Sequence, residues 1–342
     1  VTNAGITVAG VGAGYFSRFH YDAWARIDRV SVVGACDLNP EKARAPGVPA
    51  FSDLSDMLDA RLPDVLDVIL PPQAQADVIR TALKAGVKTL ICQKPFCRDV
   101  EEASLIAKEA SSAGARLIIH ENFRFQPWYR AIRDFLAAGR IGVPLQASFR
   151  FRPGDGQGDD AYLDRQPYFR EMDRFLIHES AVHFIDTFRY LFGNPVSVYA
   201  DLRRINPSIA GEDAGYVVFE HADGMRTVFD GNRHLDHAAE NLRRTMGEAT
   251  IEGTEGTISL FGDGSVTFRA FGSRTVETLL PPDTWNGFGG DCVRRLQAHV
   301  VNALLDGETL ENEASDYLGV LRAEEAIYRS AAEGRKVEID GS

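Results

Sequence analysis

Residues 6–20 read ITVAGVGAGYFSRFH, and this stretch decides the fold. A short apolar run ends at Val11 and meets Gly12-Ala13-Gly14-Tyr15-Phe16-Ser17, after which a helical pattern begins at once. Gly12 permits a tight turn and Gly14 lets the backbone approach a pyrophosphate. The small Ser17 allows close helix–strand packing, and the helix N-terminus faces the phosphates. Asp37 follows 25 residues after Gly12, at the end of a second apolar run, VSVVGAC over 30–36. A bare G-x-G is a weak signal, but a strand before it and an acid after it form the pattern of a dinucleotide site.

Asp37 also selects the cofactor. A carboxylate there accepts hydrogen bonds from both ribose hydroxyls and repels a 2′-phosphate. No arginine follows directly; Leu38 and Asn39 do, with Lys42 and Arg44 further along. NAD is therefore expected in preference to NADP. The competing role for Asp37 is to cap a helix opening at Asn39-Pro40-Glu41.

The rest of the first 120 or so residues repeats the βα alternation. Runs at 6–11, 30–36, 65–70, 89–92 and 116–120 read as strands, with helical patterns at 17–27, 54–60, 74–85 and 100–113. That order predicts a Rossmann-type doubly wound parallel sheet, with ligands beyond the carboxyl ends of its strands. After Asn122 the character changes. Successive runs at 146–152, 196–204, 214–220, 225–230, 249–253, 257–261 and 265–271 read as strands joined by glycine-containing turns. Helices are expected at 129–138, 179–192, 290–306 and 315–333. The division is thus 1–121, a dinucleotide-binding domain, and 122–342, an α+β substrate-binding domain with a large, mostly antiparallel open sheet. The uncovered face of that sheet is the expected surface for a homodimer or homotetramer.

Composition narrows the partners. With 37 Lys and Arg against 49 Asp and Glu, the net charge of −12 argues against nucleic acid and anionic membrane. No apolar stretch approaches a membrane span, and no basic segment followed by an apolar one opens the chain. Cys36, Cys92, Cys97 and Cys292 form no C-x-x-C pair and no metal-ligand spacing, so no metal is expected. Cys36 and Cys92 fall in expected buried strands, as reduced thiols of a cytoplasmic protein do.

Two places carry side chains suited to chemistry. Gln93-Lys94-Pro95 directly follows the run at 89–92, which puts Lys94 at the mouth of the cofactor crevice. A lysine there can bond a substrate hydroxyl and stabilise negative charge developing on its oxygen; a solvated lysine after a strand is the plain alternative. The second is Glu179-Ser180-Ala181-Val182-His183-Phe184-Ile185-Asp186. On one α-helix Glu179, His183 and Asp186 share a face. Imidazole is a natural acceptor of a hydroxyl proton near neutral pH, with Glu179 to orient it or stabilise its charge. A surface Glu–His pair, with Asp186 capping a neighbour, is the alternative. Arg124, Arg150, Arg152 and Arg165 are weaker candidates for binding hydroxyls or a carboxylate. Tyr162, Tyr168 and Phe169 could stack on a sugar or pack a core. The glycine-rich 154–160 reads as a mobile surface loop or a lid.

Taken together these motifs resemble the Gfo/Idh/MocA family of NAD(P)-dependent oxidoreductases over nearly the whole chain. The family's G-x-G-x-x-[GAS]-x-x-H turn reads Gly12 to His20, and its E-K-P motif reads Gln93-Lys94-Pro95. Its N-x-R-F-x-P-like stretch starts at Asn122, and its D-x-G-x-H-x-x-D helix reads Glu179 to Asp186. The E-G-T-x-G turn starts at Glu252, and the closing S-A-x-x-G-R-x-V pattern runs from Ser330 to Val337. The resemblance implies NAD held along Gly12, Gly14, Tyr15 and Phe16, with its adenosine ribose at Asp37 and Leu38. It further implies cofactor contacts from Pro71, Gln75, Gln93, Lys94 and Asn122. It implies catalysis by Lys94, His183 and Glu179, with Arg124, Arg152 and Tyr168 toward the substrate. The implied reaction is oxidation of a carbinol on a sugar, cyclitol or polyol. The stretch 14–24 and Glu179 are similar to a subgroup that includes D-apiose dehydrogenases, so a pentose is one candidate. An NAD-dependent glycosidase using transient oxidation and a non-catalytic NAD-binding regulator are rival readings on the same scaffold. The chain departs from the family pattern at Gln93, which removes a negative charge beside Lys94. It departs again at Glu179, at Ala181, and at Gln75, where the loop after Leu70-Pro71-Pro72 often carries histidine.

Overall fold

The computed structural model describes residues 5–341. The apolar runs of the first third form β1 (Ile6–Val11), β2 (Val30–Cys36), β3 (Ala50–Phe51), β4 (Val65–Val68), β5 (Thr89–Gln93) and β6 (Arg116–His120). They pair in parallel in the order β3-β2-β1-β4-β5-β6. The helices between them are α1 (Ser17–Ala25), α2 (Pro40–Arg44), α3 (Leu54–Ala60), α4 (Pro72–Ala85) and α5 (Val100–Ser112). All four residues of β4 are buried, as parallel strands covered on both faces are. β3, with two residues, is too short for a periodic signal and was not expected. From β1 the order runs outward in both directions, so the switch point lies at the carboxyl ends of β1 and β4, where Gly12 begins its turn.

The second sheet has nine strands where seven were expected. They are β7 (Pro144–Phe151), β8 (Pro195–Arg203), β9 (Ala214–His221), β10 (Arg226–Asn232), β11 (Gly247–Gly253), β12 (Gly256–Leu260), β13 (Val266–Ala270), β14 (Glu277–Leu280) and β15 (Val337–Glu338). The order is β14-β13-β12-β11-β7-β10-β9-β8-β15, antiparallel except for the β7–β10 pair. The two unexpected strands are the edges, β14 and β15. The helices after α5 are α6 (Pro127–Ala137), α7 (Val182–Phe192), α8 (Cys292–Leu305) and α9 (Ala314–Glu333). Phe184 of α7 stacks on Phe149 of β7 at 4.0 Å and meets Phe229 of β10 at 5.3 Å between ring centroids. These aromatic contacts seat α7 on the sheet and fix the neighbouring His183.

The chain folds as two compact units. One takes the chain to Asn122 together with Cys292–Leu318, and the other takes Phe123–Asp291 and the chain from Gly319 on. Segment Cys292–Leu318, which the sequence division leaves in the second domain, therefore groups with the first unit. The cause is packing: α8 lies against α1, and Gln297 donates to the His20 carbonyl at 3.3 Å. Arg29 also pairs with Asp306 at 2.7 Å. Among the described residues no helix is long and apolar enough to cross a membrane.

Candidate active site

In the first unit the turn after β1 is built by backbone geometry. Gly12 takes φ +98° and donates to the Cys36 carbonyl at 2.8 Å. A Cβ on Gly12 would fall 2.2 Å from the Ile69 carbonyl oxygen, so only glycine fits. Gly14 is the opposite case, since nothing lies within 4 Å of where its Cβ would point. Ser17 Oγ donates to the Gly14 carbonyl at 2.7 Å, closing the turn on α1. No side chain caps α1, and an uncapped helix N-terminus is suited to an anion. Tyr15 and Leu38 lie at the surface, Leu38 at 93 % exposure.

Asp37 accepts from Ala13 N–H at 2.8 Å on one oxygen and from Asn39 N–H at 2.8 Å on the other. A carboxylate offers roughly four lone-pair sites, so two remain for ribose hydroxyls. The helix cap at α2 is Asn39, which accepts from Glu41 and Lys42 N–H. Asp37 instead ties β2 to the glycine turn. Further along the sheet edge, Gln93 Oε1 and Asn122 Oδ1 are buried and have no hydrogen-bond partner among the described residues. An open cradle, an uncapped helix, a paired acid and two orphaned carbonyl oxygens together fit NAD.

Gln75, which the resemblance assigns to the cofactor, is fully buried and bonded at both ends of its carboxamide. Nε2 donates to the carbonyls of Leu70 (3.0 Å), Gln93 (2.8 Å) and Pro95 (3.0 Å), and Oε1 accepts from Cys97 N–H at 2.7 Å. Gln75 therefore staples the turn that carries Lys94, whose peptide to Pro95 is cis. Lys94 itself is half-buried, directly after β5, and Pro71 is exposed at the start of α4. His20, the last residue of the glycine motif, bonds Asp67 of β4 at 2.8 Å, and Trp24 Nε1 donates to the same oxygen at 2.7 Å. Asp67 was missed, although a lone acid in an apolar strand signals that partners must be buried with it.

In the second unit the expected helix 179–192 is two structures. A π-helical turn spans Leu176–Ala181 and α7 begins at Val182, whose N–H reaches back to the Ile177 carbonyl. The spacing rule that put Glu179, His183 and Asp186 on one face assumes a uniform α-helix, and the π-turn breaks it. His183, 9 % exposed, stacks flat on Phe123 with ring centroids 3.9 Å apart and planes 4° apart. Asp186 is no surface cap: it is buried and takes both Nε (2.8 Å) and Nη2 (2.5 Å) of Arg124. Arg152 donates from Nη1 to the Asp230 carbonyl and from Nη2 to its carboxylate, both at 2.6 Å, while its buried Nε has no partner among the described residues. Both arginines are buried, 7 % and 5 % exposed, and each has an aspartate partner within its own unit.

Tyr168 is half exposed, at 53 %, and its hydroxyl accepts from Gln166 Nε2 at 3.0 Å, while Tyr162 and Phe169 are core residues packed with Phe175. Burial first, and then the nearby charge of Glu179, push the Tyr168 hydroxyl up to about 12. The loop at 154–160 is pinned: Asp155 bonds Arg233 and Arg165, and Asn206 donates to the carbonyls of Gly156 and Gly158. Neither Arg233 nor Asn206 carries a sequence signal that links it to this loop.

A parallel sheet whose switch point opens on an uncapped helix is the Rossmann-type arrangement that binds dinucleotides, here joined to a second, sheet-based unit. The model of the oxidoreductase family with an NAD-binding Rossmann fold matches residues 6–121, and that of the GFO/IDH/MocA C-terminal domain matches 129–259. A D-apiose dehydrogenase of Paraburkholderia graminis is 32% identical over 339 residues, covering 96% of this chain and 88% of that protein. An inositol 2-dehydrogenase of Rhizobium meliloti is 23% identical, covering 96% of this chain and 98% of that protein. A crystal structure of an oxidoreductase from Agrobacterium radiobacter, in complex with NAD+, L-tartaric acid and magnesium, superposes with a TM-score of 0.88. It is 26% identical and covers 98% of each chain. The chain belongs to the Gfo/Idh/MocA family of NAD-dependent oxidoreductases.

Proposed function

We propose that the protein oxidises a carbinol on a sugar, cyclitol or polyol, with a pentose as the first candidate. The observation that carries this reading is the edge formed by β5 and β6. There Lys94 follows β5 directly, and the orphaned oxygens of Gln93 and Asn122 mark the ends of neighbouring strands. Bound NAD would supply the hydride acceptor. Gly12 to Phe16 would hold its pyrophosphate and Asp37 its adenosine ribose. His183 accepts the proton of the substrate hydroxyl and Lys94 stabilises the alkoxide, although their roles as base and electrostatic partner are interchangeable. Glu179 supports the charge that develops on the imidazole, and Tyr168 offers an open ring and hydroxyl to the substrate. The similarity to a D-apiose dehydrogenase supports a pentose.

Two subsidiary readings go with this one. The outer face of the second sheet, with Tyr199 and Tyr216 exposed, is the surface for a homodimer or homotetramer. Four buried, free cysteines fit a reducing, cytoplasmic setting.

The test is NADH formation with NAD and then NADP over a panel of aldoses, ketoses, cyclitols and polyols, beside Lys94→Ala. Turnover with NAD that collapses in the variant supports the reading. Silence across the panel with NAD tightly bound would transfer support to the glycosidase or the regulator.

A further inference from the structure

Arg233, the residue after β10, is only 4 % exposed and uses its whole guanidinium. Nε donates to Tyr162 Oη at 2.9 Å and to Asp155 Oδ1 at 3.1 Å, and Nη2 donates to Asp155 Oδ2 at 2.9 Å. Its remaining arm, Nη1, donates to Ser180 Oγ at 2.8 Å. The group also lies over the ring of Phe175 at 4.5 Å and near those of Tyr162 and Phe169. Burying a cation costs several kcal/mol before its partners offset it. An apolar residue would fill this aromatic pocket at lower cost, so the charge and the fork need a reason.

The partners supply one. Asp155 belongs to the glycine-rich loop at 154–160, whose Gly156 N–H also donates to the Arg233 carbonyl at 2.9 Å. Ser180 belongs to the π-turn and directly follows Glu179. One planar group thus joins two segments that are otherwise remote in sequence. Two other contacts hold the same turn. Glu212 accepts from Phe175 N–H (3.2 Å) and Ile177 N–H (3.1 Å), and Glu324 pairs with His178 at 2.6 Å. Single π-turns are frequent at functional sites and persist where surrounding contacts hold them.

We propose that Arg233 is a positioning residue: through Ser180 it sets the π-turn that carries Glu179, and through Asp155 it makes the 154–160 loop part of the same rigid mount. The loop is then a fixed support for Glu179, neither a lid nor plain surface. This rests on the proposed role of Glu179, and the test separates the two.

The first arm needs no substrate. Hydrogen–deuterium exchange on Arg233→Lys, which keeps the charge and loses the fork, should speed exchange at 154–160 and at 176–182 together, by about tenfold or more. Ser180→Ala should loosen 176–182 and leave the loop protected. Faster exchange at 154–160 alone in Arg233→Lys would reduce Arg233 to a loop staple and overturn the proposal. The second arm uses whichever sugar turns over. Arg233→Lys and Ser180→Ala should each lower kcat about 10- to 100-fold with KM little changed, as displacement of a catalytic group does. In a Glu179→Gln background both should add almost nothing. Fully additive losses would overturn the positioning role. If Glu179→Gln alone leaves kcat intact, the assignment of Glu179 fails, while the exchange result still decides what Arg233 holds.

Discussion

The turn that carries Lys94 and the turn that carries Glu179 are mounted in different ways. Gln75 holds the first through contacts that lie 5 to 22 residues away along a single βα unit. The second is held by Glu212, Arg233 and Glu324, which stand 35, 53 and 146 residues from their bonding partners. Parallel βα units build a site from neighbouring sequence because each strand exit is fixed by the helix beside it. The antiparallel unit must gather its clamps from several strands and a distant helix. The first mount is therefore compact and motif-like, and the second depends on the whole unit being folded.

The strongest way to sharpen that contrast is to remove chemistry from the local mount without touching its clamp. Lys94→Ala is expected to lower turnover about 10²–10⁴-fold. Isothermal titration should show NAD still binding, because the cradle at Gly12 and Asp37 is independent of Lys94. Loss of NAD binding would instead make Lys94 a cofactor residue.

Stability should break more sharply in the second unit. Asp186→Ala leaves the buried Arg124 guanidinium without its carboxylate, which costs about 3–5 kcal/mol in comparable buried pairs. Urea unfolding measures it, and a cost under about 1 kcal/mol would mean that Arg124 finds water or another acceptor. Gln75→Ala should cost less, about 2–3 kcal/mol, since it strands buried but uncharged groups such as the Cys97 N–H. Its turnover should fall as well, because the Lys94 turn loses its staple. Unchanged turnover in a folded Gln75→Ala protein would show that the strand exit alone positions Lys94.

The same contrast explains what could be read in the sequence. The glycine turn, Asp37 and the strand before Lys94 follow local rules: a tight turn needs Gly12, and a parallel strand needs an apolar run. The second sheet was visible from its alternating runs, but its edges β14 and β15 were not, because half-exposed or two-residue strands carry little pattern. The aspartate partners of Arg124 and Arg152 were hidden for a physical reason. An arginine looks alike in sequence whether it meets a ligand or a buried aspartate 62 or 78 residues away. The π-turn was hidden because 179–192 reads as one continuous helix, and contacts from Glu212, Arg233 and Glu324 show where the turn is held.

The smallest effect probes the second mount most finely. Burial and the charge of Glu179 raise the Tyr168 hydroxyl to about 12 from an ordinary 10.0, with Arg233 pulling the other way. The folded protein therefore keeps Tyr168 neutral where the unfolded chain would ionise it. That contribution to stability is complete below pH 10 and is lost as pH rises through about 12. Glu179→Gln removes one of the two main causes, so Tyr168 should ionise at lower pH. The tyrosinate signal in an ultraviolet titration, taken as the difference from Tyr168→Phe, reads this directly. Arg233→Lys gives the counterpart: its charge survives but the turn is released, so a Tyr168 titration that also moves would mean Glu179 has shifted away from the ring. A Tyr168 titration that ignores Glu179→Gln would place the Glu179 charge away from the Tyr168 ring and break the link between the turn and that hydroxyl.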